Sequence, residues 1–253
     1  LCKLLFFIAT LKDSGAQRVT AIVPYLCYAR KDRRTKARDP VTIRYVASLF
    51  EAMKVDRVVT IDVHNLQAYQ NAFRCQTEHL EALNIFVSYF QGVFRSHEKV
   101  VVMSPDIGGV KRAEQFRDKL TKVLLNEVGF AFMEKLRSKG IVSGEAVVGD
   151  VTGKYVIILD DLISSGTTMS RAAAACVKVG ASGVYAVATH GTFTHLANDA
   201  LEEEALLNVV VTNTVQEGRL SERISKEKLV VLDVAPLFAE TISRLHSGGS
   251  LVS

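Results

Sequence analysis

The sequence predicts an α/β protein whose parallel strands are buried on both faces and alternate with helices. Short apolar runs rich in β-branched residues recur along the chain, including 58–61 (VVTI), 100–103 (VVVM), 155–159 (YVIIL) and 229–232 (LVVL). Continuous apolar runs of this length suit strands that are covered on both sides. Stretches with helical periodicity separate them, and this alternation is typical of a parallel sheet.

The predicted elements follow in chain order. An apolar stretch with helical spacing opens the chain and ends near Gly15, where it leads straight into a strand. The predicted strands cover residues 18–24, 57–63, 99–104, 130–134, 154–160, 183–189, 208–212 and 229–233. The further predicted helices cover residues 41–53, 109–126, 167–179 and 236–246. In such sheets, ligands bind where the carboxyl ends of strands run into helix N-termini.

Composition narrows the class of protein. The 253 residues are 48% hydrophobic and 23% charged, which supports one large or two small folded domains and excludes a disordered chain. No apolar run approaches the ~18 residues that a membrane helix needs, so we expect no membrane partner. Four cysteines without a C-x-x-C pair argue against a zinc site or a disulfide framework, and favour the reducing cytoplasm. The net charge of +4 permits an anionic ligand.

Two polar, poorly periodic stretches, 76–81 and 217–228, predict the places where the chain crosses between domains. They divide the chain into a central domain of residues 78–223 and a second domain made of residues 1–77 and 224–253. Because the chain begins at Leu1, within a helix that feeds directly into a strand, we expect the domain containing residues 1–77 to be incomplete at its start.

The sharpest motif is YVIILDDLISSGTTMSRAA, residues 155–173, in which an apolar strand ends in the acid pair Asp160 and Asp161. A hydroxyl-rich turn then leads into a helix; it consists of Ser164, Ser165, Gly166, Thr167 and Thr168. Backbone N–H groups and hydroxyls at a helix N-terminus form a cradle for a phosphate dianion. Adjacent carboxylates can hold sugar hydroxyls or, through water, a magnesium ion. The alternative is an acidic turn with ordinary helix capping, which needs only one such residue.

A second turn follows the strand at 99–104. This glycine turn consists of Asp106, Ile107, Gly108 and Gly109. Paired glycines let backbone amides approach a pyrophosphate closely, and the neighbouring carboxylate can recruit a metal ion. Taken alone, the same residues also fit a Pro-Asp turn that caps a helix.

Two further segments lie nearer the N-terminus. Asp62 and His64 end a predicted strand, where a lone histidine is more often structural than a ligand. A basic loop, residues 30–38, contains six bases around Asp32. Taken alone, such a charge run is usually a solvated loop, and no aromatic stacking platform accompanies it, so we expect no nucleic-acid partner.

In this order the segments resemble the ribose-phosphate diphosphokinase (phosphoribosyl pyrophosphate synthetase) family. Four more stretches extend the match: 135–137 ahead of 147–151, then 189–193 and 210–214. The resemblance spans nearly the whole chain. It implies two type I phosphoribosyltransferase-like domains with parallel sheets, the N-terminal one incomplete.

The resemblance also implies an activity. Members of the family transfer the diphosphoryl group of Mg-ATP to the C1 hydroxyl of ribose 5-phosphate, which gives phosphoribosyl pyrophosphate and AMP. By this resemblance the hydroxyl-rich turn would bind the 5-phosphate, the acid pair would hold the ribose hydroxyls, and the glycine turn would receive the pyrophosphate. Fixed positive charge would clamp the transferred group, and the residues implied are Lys135 and Arg137.

The nucleotide side follows by the same resemblance. The residues implied to lie along ATP are Arg30, Lys31, Asp32 and His64. The implied cofactor is Mg²⁺, coordinated by His64 and Asp106. Two positions depart from the family pattern: Ser164 stands where many members carry an acid, and Lys31 where they often carry Gln.

Two alternatives remain open from the sequence. A phosphoribosyltransferase acting on a nucleobase would explain residues 160–168 but not the basic loop. A non-catalytic regulatory homologue would tend to lose the bases that are present here at 135 and 137. We expect a homo-oligomer built from dimers, with a hexamer as the larger form, because active sites in this family are shared between subunits.

Overall fold

The computed structural model describes residues 1–95, 97–138, 141–216 and 218–250, without the side chains of 135–138 and 141–145. The chain forms two compact units, Leu1–Glu81 and Ala82–Ser253.

The first unit is built on a three-stranded parallel sheet in the order β1-β2-β3. Its elements in chain order are α1 (Cys2–Asp13), β1 (Thr20–Ile22), α2 (Thr42–Ala52), β2 (Arg57–Ile61), α3 (Leu66–Ala72) and β3 (Gln76–Leu80). Ile8, Phe50 and Tyr69 are fully buried in its core. The Tyr69 hydroxyl satisfies its hydrogen bond inside this core by donating to the Val58 carbonyl at 2.8 Å.

The second unit contains a seven-stranded sheet in the order β10-β9-β8-β7-β4-β5-β6. Its strands are β4 (Val100–Ser104), β5 (Gly129–Ser138), β6 (Ile141–Val148), β7 (Tyr155–Ile163), β8 (Gly183–Gly191), β9 (Leu206–Thr212) and β10 (Leu229–Leu232). Its helices are α4 (Leu83–Val93), α5 (Val110–Leu124), α6 (Thr167–Lys178), α7 (Ala197–Leu201), α8 (Glu222–Glu227) and α9 (Ala235–Ser247). All neighbouring pairs are parallel except β5 and β6, which are antiparallel.

The centre of this sheet explains the continuous apolar runs in the sequence. All five residues of β4 are buried, and β7 is buried at seven of nine positions. Beneath α6, the Cys176 thiol donates to the Met103 sulfur at 3.3 Å, and both residues are fully buried. Because β4 and β7 are adjacent and parallel, their carboxyl ends lie side by side at one edge of the sheet.

The α/β class with parallel sheets is confirmed, and two strands add to the predicted set. Residues 76–81 were interpreted as a crossing point between domains. The boundary of the two units does lie there, after Glu81, and within this stretch Gln76–Leu80 forms β3. Its polar composition reflects an edge position, where it pairs with β2 on one side. Strand β6 was also not predicted, and it pairs with β5 as the outermost strand of the larger sheet.

The structure corrects the assignment of residues 224–253. The sequence analysis grouped them with residues 1–77, whereas they belong to the second unit. The reason is strand pairing: β10 adds in parallel to β9, with Leu229 opposite Val209 and Leu232 opposite Thr212. In the part of the chain that the structure describes, no helix has the length and apolarity required to cross a membrane.

Candidate active site

The acid pair lies near the carboxyl end of strand β7, and its two carboxylates have different surroundings. Asp161 is buried, and the Nη1 atom of Arg112 in α5 lies 3.6 Å from its Oδ1. Asp160 accepts a hydrogen bond from the backbone N–H of Asp161 at 2.8 Å. Burial, followed by the neighbouring Asp161 carboxylate, raises the pKa of Asp160 above its ordinary value. The carboxyl of Asp160 therefore holds its proton more tightly than an ordinary aspartate, next to an Asp161 carboxylate that pairs with Arg112.

The hydroxyl-rich turn follows at once and ends at the start of α6. Gly166 is the N-cap of this helix with φ of +73°. A Cβ at this position would lie 3.1 Å from the Leu201 side chain, so both the backbone conformation and the space favour glycine. The hydroxyls of Ser165 and Thr167 lie 3.1 Å apart, and Thr167 and Thr168 are exposed. Exposed hydroxyls at a helix N-terminus are suited to bind a phosphate.

Residues after β8 support this turn, a role that the sequence analysis did not predict. The backbone N–H of Thr194 donates to the Ser164 carbonyl at 2.9 Å, and that of Thr192 to the Ile163 carbonyl at 3.0 Å. A Cβ on Gly191 would lie 2.5 Å from the Phe193 ring. The matched stretch 189–193 was the available signal, because it pointed to these residues without giving them a function.

A buried polar cluster fixes the same edge of the sheet from β8 and β9. His190 is 3% exposed, and its Nδ1 lies 2.8 Å from the Thr214 hydroxyl. The Thr212 hydroxyl donates to the Thr189 carbonyl at 2.6 Å. Hydrogen bonds of this kind satisfy buried polar groups and make their geometry unique.

The glycine turn lies at the adjacent strand end, between β4 and α5. The Asp106 Oδ1 accepts a hydrogen bond from the Gly109 N–H at 2.9 Å, and the Ser104 hydroxyl donates to the Asp106 carbonyl at 2.6 Å. A Cβ on Gly109 would lie only 2.7 Å from the Ser104 Oγ, so a larger residue would displace the turn. Asp106, Ile107 and Gly108 are exposed. This turn and the acid pair therefore share one sheet edge, and Arg112 connects α5 to Asp161.

The remaining predicted residues with described side chains lie in the first unit. The Asp32 carboxylate accepts a hydrogen bond from the Asn65 side chain at 2.6 Å. Asn65 in turn caps α3 by accepting from the Ala68 N–H at 3.1 Å. The basic loop is thus tied to the segment that carries His64, and Arg30 and His64 are both exposed.

Comparisons with known proteins identify the family of this chain. Residues 1–53 match the N-terminal domain of ribose phosphate pyrophosphokinase, and residues 132–253 match the phosphoribosyl synthetase-associated domain. The ribose-phosphate pyrophosphokinase of Clostridium acetobutylicum is 40% identical over 246 residues, which cover 96% of this chain and 74% of the relative. That of Caldanaerobacter subterraneus is 40% identical over 99% of this chain and 76% of its own length. The chain belongs to the ribose-phosphate pyrophosphokinase family.

A solved structure of the same family identifies the fold. The phosphoribosylpyrophosphate synthetase from Mycobacterium smegmatis matches with a TM-score of 0.85 and 37% identity, over 97% of this chain and 77% of the other. The fold is therefore that of a pyrophosphokinase with type I phosphoribosyltransferase-like units.

Lys135 and Arg137, the predicted clamp of this pyrophosphokinase, lie in β5. Their backbones pair with Glu145 and Val142 of β6, and their side chains lie outside the described part of the structure.

The predicted metal ligands His64 and Asp106 lie in different units. Within the described residues, no group of three or more His, Cys, Asp or Glu side chains forms a metal site. The donor chemistry fits Mg²⁺, because that ion usually takes one or two carboxylates together with substrate phosphates and water. Asp106 offers an exposed carboxylate beside the backbone amides of the glycine turn.

Proposed function

We propose that this pyrophosphokinase transfers the β,γ-diphosphoryl group of Mg-ATP to the C1 hydroxyl of ribose 5-phosphate. The products are phosphoribosyl pyrophosphate and AMP. One observation carries the proposal: the acid pair, the hydroxyl-rich turn and the glycine turn share the carboxyl edge of adjacent parallel strands, β7 and β4. A sugar phosphate and a diphosphate need these groups at neighbouring positions.

The sugar side is assigned to the second unit. The 5-phosphate would lie against the N-terminus of α6, where it accepts hydrogen bonds from Ser165, Thr167 and Thr168. The acid pair would accept hydrogen bonds from the ribose hydroxyls. Ser164 is partly buried beside them and offers a neutral hydroxyl instead of a third charge. These contacts fix the sugar so that its C1 hydroxyl points towards the glycine turn, which converts a bimolecular attack into a positioned one.

The nucleotide side is proposed from the family to which the chain belongs. Arg30, Lys31, Asp32 and His64 would lie along ATP, and the backbone amides of the glycine turn would bind the diphosphoryl oxygens. His64 and Asp106 would hold Mg²⁺, whose charge stabilises the phosphoryl oxygens in such transfers.

The clamp is assigned to the β5 residues Lys135 and Arg137. Charge builds on the oxygens of the group in transfer, and fixed cations stabilise that charge more than they stabilise the ground state.

We also propose that the protein is a cytoplasmic homo-oligomer built from dimers, or a hexamer. Light scattering of the purified chain should give a mass that is an even multiple of 27.8 kDa. A monomeric mass at the working concentration would contradict this assembly.

The function is tested by measuring AMP. We expect AMP to form from ATP only when ribose 5-phosphate and Mg²⁺ are both present, with omission of each as the control. A nucleobase phosphoribosyltransferase would instead consume phosphoribosyl pyrophosphate together with a base. A regulatory homologue would turn over neither substrate, and either result would contradict the proposal.

A further inference from the structure

The basic loop is organised around a single carboxylate oxygen, the Oδ2 of Asp39. This atom accepts hydrogen bonds from the Lys31 ammonium at 2.8 Å and from the Thr35 hydroxyl at 2.8 Å. It also accepts from the backbone N–H groups of Lys36 at 3.1 Å and Thr35 at 3.2 Å. The carboxylate therefore joins the first part of the loop to its last part.

Two further hydrogen bonds hold the two ends of the loop. The backbone N–H of Asp39 donates to the Lys36 carbonyl at 3.2 Å. At the other end of the loop, Asn65 holds Asp32 through the 2.6 Å hydrogen bond described above. Between these anchors Arg38 adopts φ of +66°, a left-handed conformation that costs free energy for a residue other than glycine. The hydrogen bonds made by Asp39, the next residue in the chain, offset that free-energy cost.

The bases of the loop differ in whether they form an ion pair with Asp39. Lys31 forms an ion pair with Asp39 and has 39% of its side chain exposed. Its ammonium and the Thr35 hydroxyl hold the pKa of Asp39 well below the ordinary value, so this carboxylate is charged at neutral pH. Arg30, Arg33 and Arg34 are exposed and do not pair with Asp39. The Nε atom of Arg33, whose side chain is 79% exposed, lies 4.0 Å from the Asp32 Oδ1. The loop thus exposes arginine guanidinium groups, whereas the charge of Lys31 is compensated by the Asp39 carboxylate.

We propose that Asp39 is a positioning residue which, with Lys31, closes a clasp that shapes the basic loop for the phosphates of ATP. Lys31, assigned above to the ATP side, then acts there by shaping the loop and not by direct contact with the nucleotide. The inference rests on the proposed function, in which this loop lies along ATP, and it assigns to Asp39 a part that no sequence motif gave it. Because the clasp holds the loop in one conformation before ATP binds, the loop loses less conformational entropy when its guanidinium groups bind the triphosphate.

The first experiment detects the clasp without any activity. Trypsin cleaves after Arg33 and Arg34, at bonds that residue 39 does not flank. Asp39→Ala should raise the cleavage rate at these bonds about fivefold or more, because four donors lose their common acceptor. The control is Asp13→Ala, which makes the same substitution at an exposed carboxylate at the end of α1 and should leave the rate unchanged. An unchanged rate in Asp39→Ala would overturn the clasp.

The second experiment uses the dissociation constant of Mg-ATP, measured by calorimetry without ribose 5-phosphate. Asp39→Ala and Lys31→Gln should each raise it about three- to tenfold. In the double variant the second substitution should add less than about twofold, because both remove the same contact. If the two effects multiply instead, Lys31 binds phosphate directly and the assignment is overturned.

The two readouts separate this inference from the proposed function. If the wild-type chain binds no Mg-ATP, the proposed function fails, and the cleavage rates alone decide whether the clasp exists. If the wild-type chain binds Mg-ATP but Asp39→Ala changes neither readout, the clasp is refuted while the function stands.

Discussion

Asp160 and Asp161 show how one strand end gives two identical side chains different properties. Arg112 lies beside Asp161 at 3.6 Å, whereas Asp160 lies next to a second carboxylate in a partly buried place. The raised pKa of Asp160 follows from that burial and that neighbour. At neutral pH the free protein therefore stores an unfavourable interaction, which hydrogen bonds from ribose hydroxyls would relieve.

Asp160→Asn should stabilise the fold at the expense of the site. A carboxyl with a raised pKa binds its proton more tightly in the folded chain, so the free energy of unfolding falls as pH rises from about 4 through that raised pKa. Asparagine keeps an oxygen for the Asp161 N–H but has no charge to bury. We expect the variant to be about 1–3 kcal/mol more stable than the wild type at pH 8 and nearly equal to it at pH 4, with lower turnover.

The control for this prediction is Asp150→Asn. Lys154 lies 2.9 Å from the Asp150 Oδ2 and lowers the pKa of that carboxyl, so its stabilisation is present at neutral pH and is lost as pH falls. Calorimetric unfolding of both variants between pH 4 and pH 8 should give opposite signs at pH 8. Equal signs would show that burial of the Asp160 charge does not determine the stability of this variant.

Gly166→Ala tests whether the hydroxyl-rich turn depends on the space beside Leu201. Gly153 has nearly the same backbone, φ of +67° against +73°, but its Cβ would meet nothing within 4 Å. Gly153→Ala should cost about 1 kcal/mol for backbone strain alone. Gly166→Ala should cost about 1–3 kcal/mol more by overpacking and should raise the KM for ribose 5-phosphate. Equal losses in thermal unfolding would remove the packing argument.

At the scale of elements, α5 connects the glycine turn with the acid pair, because it begins at that turn and carries Arg112, whose Nη1 lies 3.6 Å from the Asp161 Oδ1. Arg112→Gln removes the positive charge beside a carboxylate that is 5% exposed. We expect kcat/KM for ribose 5-phosphate to fall about 10- to 100-fold, with partial recovery in Arg112→Lys. Steady-state assays against Lys111→Gln, an exposed neighbour with the same charge change, provide the comparison. A similar loss in both variants would point to general electrostatics instead of this ion pair.

The β5–β6 pair tests the clamp. Lys135→Ala should lower kcat by about 10²-fold or more while the dissociation constant of ribose 5-phosphate stays within about twofold, because a clamp on the transferred group acts in the transition state. AMP production and direct binding measure the two quantities. Lys178→Ala, which removes an exposed lysine at the end of α6, is the control. An unchanged kcat would remove Lys135 from the mechanism.

Sequence patterns predicted the central elements better than the edges. Strands β4 and β7 could be recognised because burial on both faces requires an apolar run. Strand β3 (QTEHL) is polar because its edge position leaves it largely outside the core. The same limit applies to 224–253, since the partner of β10 depends on which sheet edge is open and not on the residues of β10 itself.

At the scale of the whole molecule, the sequence predicted the turns of the site but not the contacts that hold them. The acid pair and the glycine turn are consecutive residues, so spacing alone revealed them. Arg112 to Asp161 and Asp39 to Lys31 join residues that are distant or unremarkable in the chain, and only folding brings their side chains together. The identity of 37–40% with known pyrophosphokinases extends over 96–99% of the chain, and therefore over both units.

The most direct test is a crystal structure of the chain with ribose 5-phosphate bound. We predict that the sugar's phosphate will be found against the backbone amides at the start of α6, with its ring hydroxyls on Asp160 and Asp161 and its C1 end facing Gly108. A phosphate bound elsewhere while residues 164–168 carry no ligand, or a C1 end directed away from the glycine turn, would contradict the proposed reaction.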